Sequence, residues 1–154
     1  MQRAVVWVVD DLPANHALVR RSLPAGFEAV CDLVSVGSGE EALLHVEVGL
    51  DADPDRLPDV IFMDFFLGDG YGNEVTQKIR AAFGARRLAG PYIVGHSSSP
   101  PASLEIVRAG GDVAIEKDRH AAFSAGVRKI FPDLAALEDY AGRARRPIRS
   151  PEGG

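Results

Sequence analysis

Five polar residues in this sequence each follow a short apolar run: Asp10 with Asp11, Asp64, Ser97 and Lys117. Three carboxylates brought to one rim repel one another unless a cation sits among them. An all-oxygen set of acids selects a hard ion, Mg2+ rather than zinc. A neighbouring lysine balances the charge and can bond a phosphoryl oxygen. A serine hydroxyl adds a neutral donor to the same group. Such parts suit phosphoryl transfer, in which positioning and charge neutralisation dominate. A carboxylate can itself be the nucleophile and form an acyl phosphate. Asp64 is the candidate, because it closes the central hydrophobic run.

The runs themselves predict how these residues are held. Ala4 to Val9 is apolar without alternation, as in a strand covered on both faces. Pro13 then opens a helix carrying Leu18, Val19 and Leu23, which Pro24 and Gly26 end. Ala29 to Val36 reads as a second strand. Ser38 with Glu41 is a capping-box signature for the next helix, closed by Gly49. Val60 to Met63 is the third strand, Gly68 to Gly72 a turn, and Val75, Ile79 and Phe83 mark a helix. Tyr92 to Gly95 is the fourth strand, running into His96 and three serines. Pro100-Pro101 starts a short helix that Gly110-Gly111 stops. Val113 to Ile115 is the fifth strand, and the last helix spans about Arg119 to Phe131.

Strand and helix in alternation require right-handed crossovers into a doubly wound parallel α/β sheet. Ligands of such sheets gather outside the carboxyl ends of the strands, where the five polar residues lie.

Composition narrows the function classes. The 154 residues suit one domain and nearly exclude a two-domain enzyme. The net charge of −5 argues against a nucleic-acid footprint. Cys31 is the one cysteine, so disulfide frameworks and multi-cysteine zinc sites are excluded. No apolar run reaches the ~18 residues of a membrane span, and the Met1 end has no signal-peptide organisation. A cytoplasmic protein is expected. His16, His45, His96 and His120 show no ligand spacing on one face, so a histidine metal site is not expected.

Over about residues 3 to 131 the chain resembles the receiver domain of two-component response regulators. The matching pieces are Val8-Val9-Asp10-Asp11, Ile61-Phe62-Met63-Asp64, Leu67-Gly68-Asp69-Gly70-Tyr71-Gly72, Ile93-Val94-Gly95-His96-Ser97-Ser98, and Gly110 through Lys117. The resemblance implies a flavodoxin-like five-stranded sheet of order 2-1-3-4-5. It implies that Asp64 accepts a phosphoryl group from a sensor histidine kinase or a histidine phosphotransfer protein. Asp10, Asp11, Asp64 and the main-chain carbonyl of Phe66 would hold Mg2+, and Lys117 would bind the phosphoryl group.

Ser97 would be the hydroxyl that moves toward the phosphoryl group; counting from Pro91 alone puts His96 there, but Gly95 and Ser98 suit the small residues that flank such a hydroxyl. Ala114 replaces the family's usual aromatic partner of that hydroxyl, with Tyr92 a candidate substitute. Asp118 and Gly68 stand where the family commonly has proline.

The expected function is therefore a single-domain regulator that signals by protein contact, with no turnover of an external substrate. The domains expected are a receiver over residues 1–131 and, over 132–154, a helical extension with a disordered basic tail. The 23 residues from Pro132 to Gly154 are too few for a DNA-binding output domain. The downstream target is open, as is a homodimer. An aspartate-nucleophile phosphatase is the alternative enzyme class, but it needs a second carboxylate at the place of Phe66. A phosphorylation-independent interaction domain is the other alternative.

Overall fold

The runs Ala4–Val9 and Val60–Asp64 become strands buried along their whole length because both of their faces find a helical layer. A computed structural model describes residues 2–116 and 120–148, with the His120 side chain excluded. The elements are β1 (Ala4–Val9), α1 (Pro13–Ser22), β2 (Cys31–Val36), α2 (Gly39–Ala52) and β3 (Val60–Asp64). There follow β4 (Phe66–Leu67), β5 (Gly70–Tyr71), α3 (Gly72–Ala85), β6 (Tyr92–Ser97) and α4 (Pro100–Arg108). The chain continues with β7 (Val113–Glu116), α5 (His120–Ile130) and α6 (Leu134–Glu138). The parallel sheet has the order β2-β1-β3-β6-β7, and β4-β5 is a separate antiparallel hairpin. With the hairpin set aside, this is the 2-1-3-4-5 order of the flavodoxin-like fold.

Burial explains the unbroken apolar runs. Val6, Val8, Phe62 and Val94 pack with Leu18, Val19, Phe123 and Val127 of α1 and α5. Val9, Ile61, Met63 and Ile93 pack on the other face with Val46, Ile79, Phe83 and Ile106 of α2, α3 and α4. Successive residues of β1, and of β3 up to Met63, thus enter different cores, which leaves no room there for a polar side chain. Polar chemistry is left to the strand ends.

Several local expectations shift. β2 begins at Cys31, because a short 3-10 turn takes Phe27–Ala29. β6 runs two residues beyond Gly95, carrying His96 and Ser97 into the sheet. The capping box forms, with Ser38 Oγ accepting from Glu41 N at 3.1 Å and Glu41 Oε2 accepting from Gly37 N at 2.8 Å. Burial pushes the Cys31 thiol up to about 12, consistent with a packed and unreactive residue.

The largest correction concerns the expected disordered tail. Through Ile148 the chain is packed, and it wraps the pole where the strands begin. Leu137 is wholly buried with the α1 and α5 core, and Ala144 joins the opposite core. Gly90 N donates to Ala144 O, Ala89 N to Arg146 O, and Ile148 N to Arg87 O. The Arg143 guanidinium lies 5.6 Å from the Tyr92 ring centroid and 5.9 Å from that of Tyr140. Such stacking lets an arginine cover apolar surface while keeping its charge. The basic residues therefore brace the pole; Arg149 and the residues after it lie outside the described region.

Asp59 is the clasp. Its carboxylate accepts from Val5 N at 2.9 Å and from Ala144 N at 3.1 Å, joining β1 to the extension. Its carbonyl accepts from Tyr92 N, which adds β6. Burial pushes the carboxyl above its usual value, against the opposing pull of the backbone donors. Asp59→Ala leaves two buried donors without that acceptor. The expected loss of stability is on the order of 2–4 kcal/mol in urea unfolding, with faster hydrogen exchange at Ala144 N. A loss well under 1 kcal/mol, or unchanged exchange, would show that the clasp contributes little.

Candidate functional site

Asp64 is the last residue of β3 and Asp10 follows β1, so the adjacent central strands present both carboxylates at one edge. Both are buried, at 1% exposure for Asp10 and 5% for Asp64. Asp10 Oδ1 accepts from Leu12 N and Asp64 Oδ1 accepts from Phe65 N, each at 2.9 Å. Asp10 does not cap α1, whose N-cap is Leu12. Those bonds instead orient the carboxylates. Asp11 is exposed, and its Oδ2 lies 3.5 Å from the place a Cβ on Gly68 would take. The loop that carries Phe66 thus passes beside Asp11.

That loop is held from two sides. Gly72 N donates to Phe65 O at 2.7 Å, and a Cβ on Gly72 would sit 1.9 Å from Asp64 O. Only glycine lets α3 start so close behind β3. On the other side, Asp69 accepts from Gly39 N at 3.1 Å and Glu40 N at 2.9 Å, at the start of α2. Those donors hold its carboxyl below the usual range. The expected simple turn is therefore a hairpin pinned to a helix N-terminus, which favours a negative charge. Phe65, Phe66 and Tyr71 form an aromatic group at the rim, with Phe66 and Tyr71 exposed.

The fourth strand corrects an expectation. The register sets His96, not Ser97, opposite Asp64. One ligand atom from each of Asp10, Asp64 and His96 lies within 4.8 Å of the others. His96 is fully buried, its ring edge-on to Phe62 at 6.4 Å and to Phe123 at 5.8 Å. Ser97 pairs with Glu116 and so projects to the other face, where its Oγ accepts from Ser99 N at 3.2 Å.

The signal for His96 was its place five residues after Pro91; side chains alternate along β6, so His96 and Ser97 project to opposite faces. Tyr92 cannot substitute for the missing aromatic at Ala114, since it stacks on Tyr140 at the far pole, 5.4 Å between centroids. Lys117 lies outside the described residues, directly after Glu116 closes β7.

No family model and no curated protein matches the sequence. Solved structures do. The phosphorylated cyanobacterial phytochrome response regulator RcpA superposes with a TM-score of 0.67 at 21% identity, covering 83% of this chain and 91% of that one. The receiver domain of the sensor histidine kinase PA1611 from Pseudomonas aeruginosa, solved with a magnesium ion coordinated in its active-site cleft, gives 0.59 at 20% identity. That match covers 82% of this chain and 96% of the other. A LuxR-family response regulator from Aurantimonas gives 0.59 at 21% identity, covering 98% of this chain and 92% of that one. The chain has the receiver fold of two-component response regulators.

The Asp69 tether makes a titration visible. The amide shifts of Gly39 and Glu40 should follow one acid-range step with a midpoint below the ordinary 3.8, because the ionised carboxylate accepts both bonds. Asp69→Asn should abolish that step. A midpoint at or above 3.8 in the parent protein would mean that the tether does not form.

Proposed function

We propose that this protein is a phosphoacceptor receiver, modified on Asp64 and read by other proteins through the resulting change of surface. The observation that carries the reading is the pair of buried carboxylates, Asp10 and Asp64, at the ends of adjacent central strands. Burying two like charges side by side is costly unless something positive comes to them. The donor chemistry fits a hard divalent ion: Asp10, Asp11, Asp64 and the Phe66 carbonyl are all oxygen ligands. When bound, Mg2+ supplies positive charge that offsets the carboxylates and the phosphoryl oxygens. No helix among the described residues is long and apolar enough to cross a membrane, which suits a cytoplasmic phosphodonor.

The chain's own residues do the remainder. An Asp64 carboxylate oxygen attacks the phosphorus of a phosphohistidine on a sensor kinase or phosphotransfer protein. The O–P bond forms as the P–N bond breaks, and the leaving imidazole keeps the electron pair and takes a proton from water. Phe65 N holds the second Asp64 oxygen, which fixes the direction of attack. Lys117 neutralises the transferred group. Exposed Phe66 and Tyr71 beside Asp64 offer apolar surface to the donor. A phosphatase would want an acid at the place of Phe66, whose ring can donate no proton.

Acetyl phosphate with Mg2+ should give one base-labile phosphoryl adduct by intact-mass measurement. Asp64→Asn should remove it, and a chelator should suppress it in the parent protein. No adduct on the parent, or an undiminished one on the variant, would sink the reading.

A further inference from the structure

We infer that His96 is the side chain from β6 that bonds a phosphoryl group on Asp64, and that it passes the change to α5 through Phe123. The inference rests on the phosphoacceptor reading and adds a residue to that site. Its ground is position. Residues paired across parallel strands project to the same face, and His96 pairs with Asp64. An imidazole nitrogen stands within 4.8 Å of carboxylate oxygens of both Asp64 and Asp10. A group added to Asp64 on that side meets the ring.

An imidazole suits the task for two reasons. It has an N–H to donate, and a donor aimed at a phosphoryl oxygen makes the stronger, charge-assisted kind of hydrogen bond. Its ring is also already placed, wedged between Phe62 of β3 and Phe123 of α5. A fully buried ring cannot shift without its neighbours following, because interiors are close-packed. Phe123 is itself buried, at 1% exposure, and belongs to the core shared by α1 and α5. The residue paired with Ala114 is Gly95, so the sheet offers no aromatic contact by that route. Ser97, committed to Ser99 N on the other face, is a loop-shaping residue.

The test uses beryllofluoride with Mg2+ as the phosphoryl mimic, with affinity read by calorimetry and α5 read by hydrogen exchange. Three variants are compared with the parent: His96→Leu, which keeps bulk without a donor; His96→Gln, which keeps a donor; and Ser97→Ala. The expected result is a loss of about tenfold or more in affinity for His96→Leu, most of it restored in His96→Gln. Ser97→Ala should stay within about twofold. Exchange in His120–Ile130 should change on binding in the parent and not in His96→Leu. Thermal melts of the unliganded variants identify any that fail to fold, and His96→Gln then decides by itself whether a donor at this place sustains binding. If Ser97→Ala loses affinity and both His96 variants keep it, the inference falls and the phosphoacceptor reading stands. If the parent takes no beryllofluoride, both fall together.

Discussion

Two carboxylates, each at least 95% buried, cannot share a corner of a protein for free. Taking one such ion out of water costs several kcal/mol, and a second of the same sign beside it adds repulsion. The architecture around Asp10 and Asp64 answers that cost locally. Each accepts a main-chain hydrogen bond at 2.9 Å, from Leu12 N and Phe65 N. Most of the sheet is committed on both faces to apolar layers. What can be arranged is the rim, and the hairpin, the Asp69 tether and the start of α3 all arrange it.

The central strands were legible because they obey a single rule, whereas the order of the sheet came with the resemblance to receiver domains. A strand buried on both faces must be apolar at every position, and Ala4 to Val9 and Val60 to Met63 are. The acids were legible for the same reason, as the first residues at which that rule fails. His96 hid behind the same logic. A polar residue after Gly95 reads as the end of the strand, whereas the strand continues and buries it. Whether His96 or Ser97 faces Asp64 is decided by the register of β6 on β3, which apolar pattern alone does not set.

The C-terminal segment was misread for a related reason. Four arginines between Arg143 and Arg149 look solvated when only composition is weighed. Arg143 instead stacks over two tyrosines, and the small residue Ala144 slips between it and Arg145 to reach a buried carboxylate. Asp59 was equally silent in the sequence, since an aspartate after Pro58 has the signature of an ordinary turn. Its partners lie 54 and 85 residues away in the chain, beyond any local pattern. Long-range closure of this kind becomes visible only when the strands' starting ends are seen together.

Gly72 gives the corner around Asp64 an asymmetry. Its missing side chain lets the first turn of α3 rest directly on the Asp64 carbonyl, with no slack behind the strand. The site then works like a vice with one jaw bolted down. Under the proposed function, a group added to Asp64 bears on the opposite jaw, made of β6 and Phe123 of α5. A surface that reports the event should therefore be sought on the side that yields, and one missing methyl group determines which side that is.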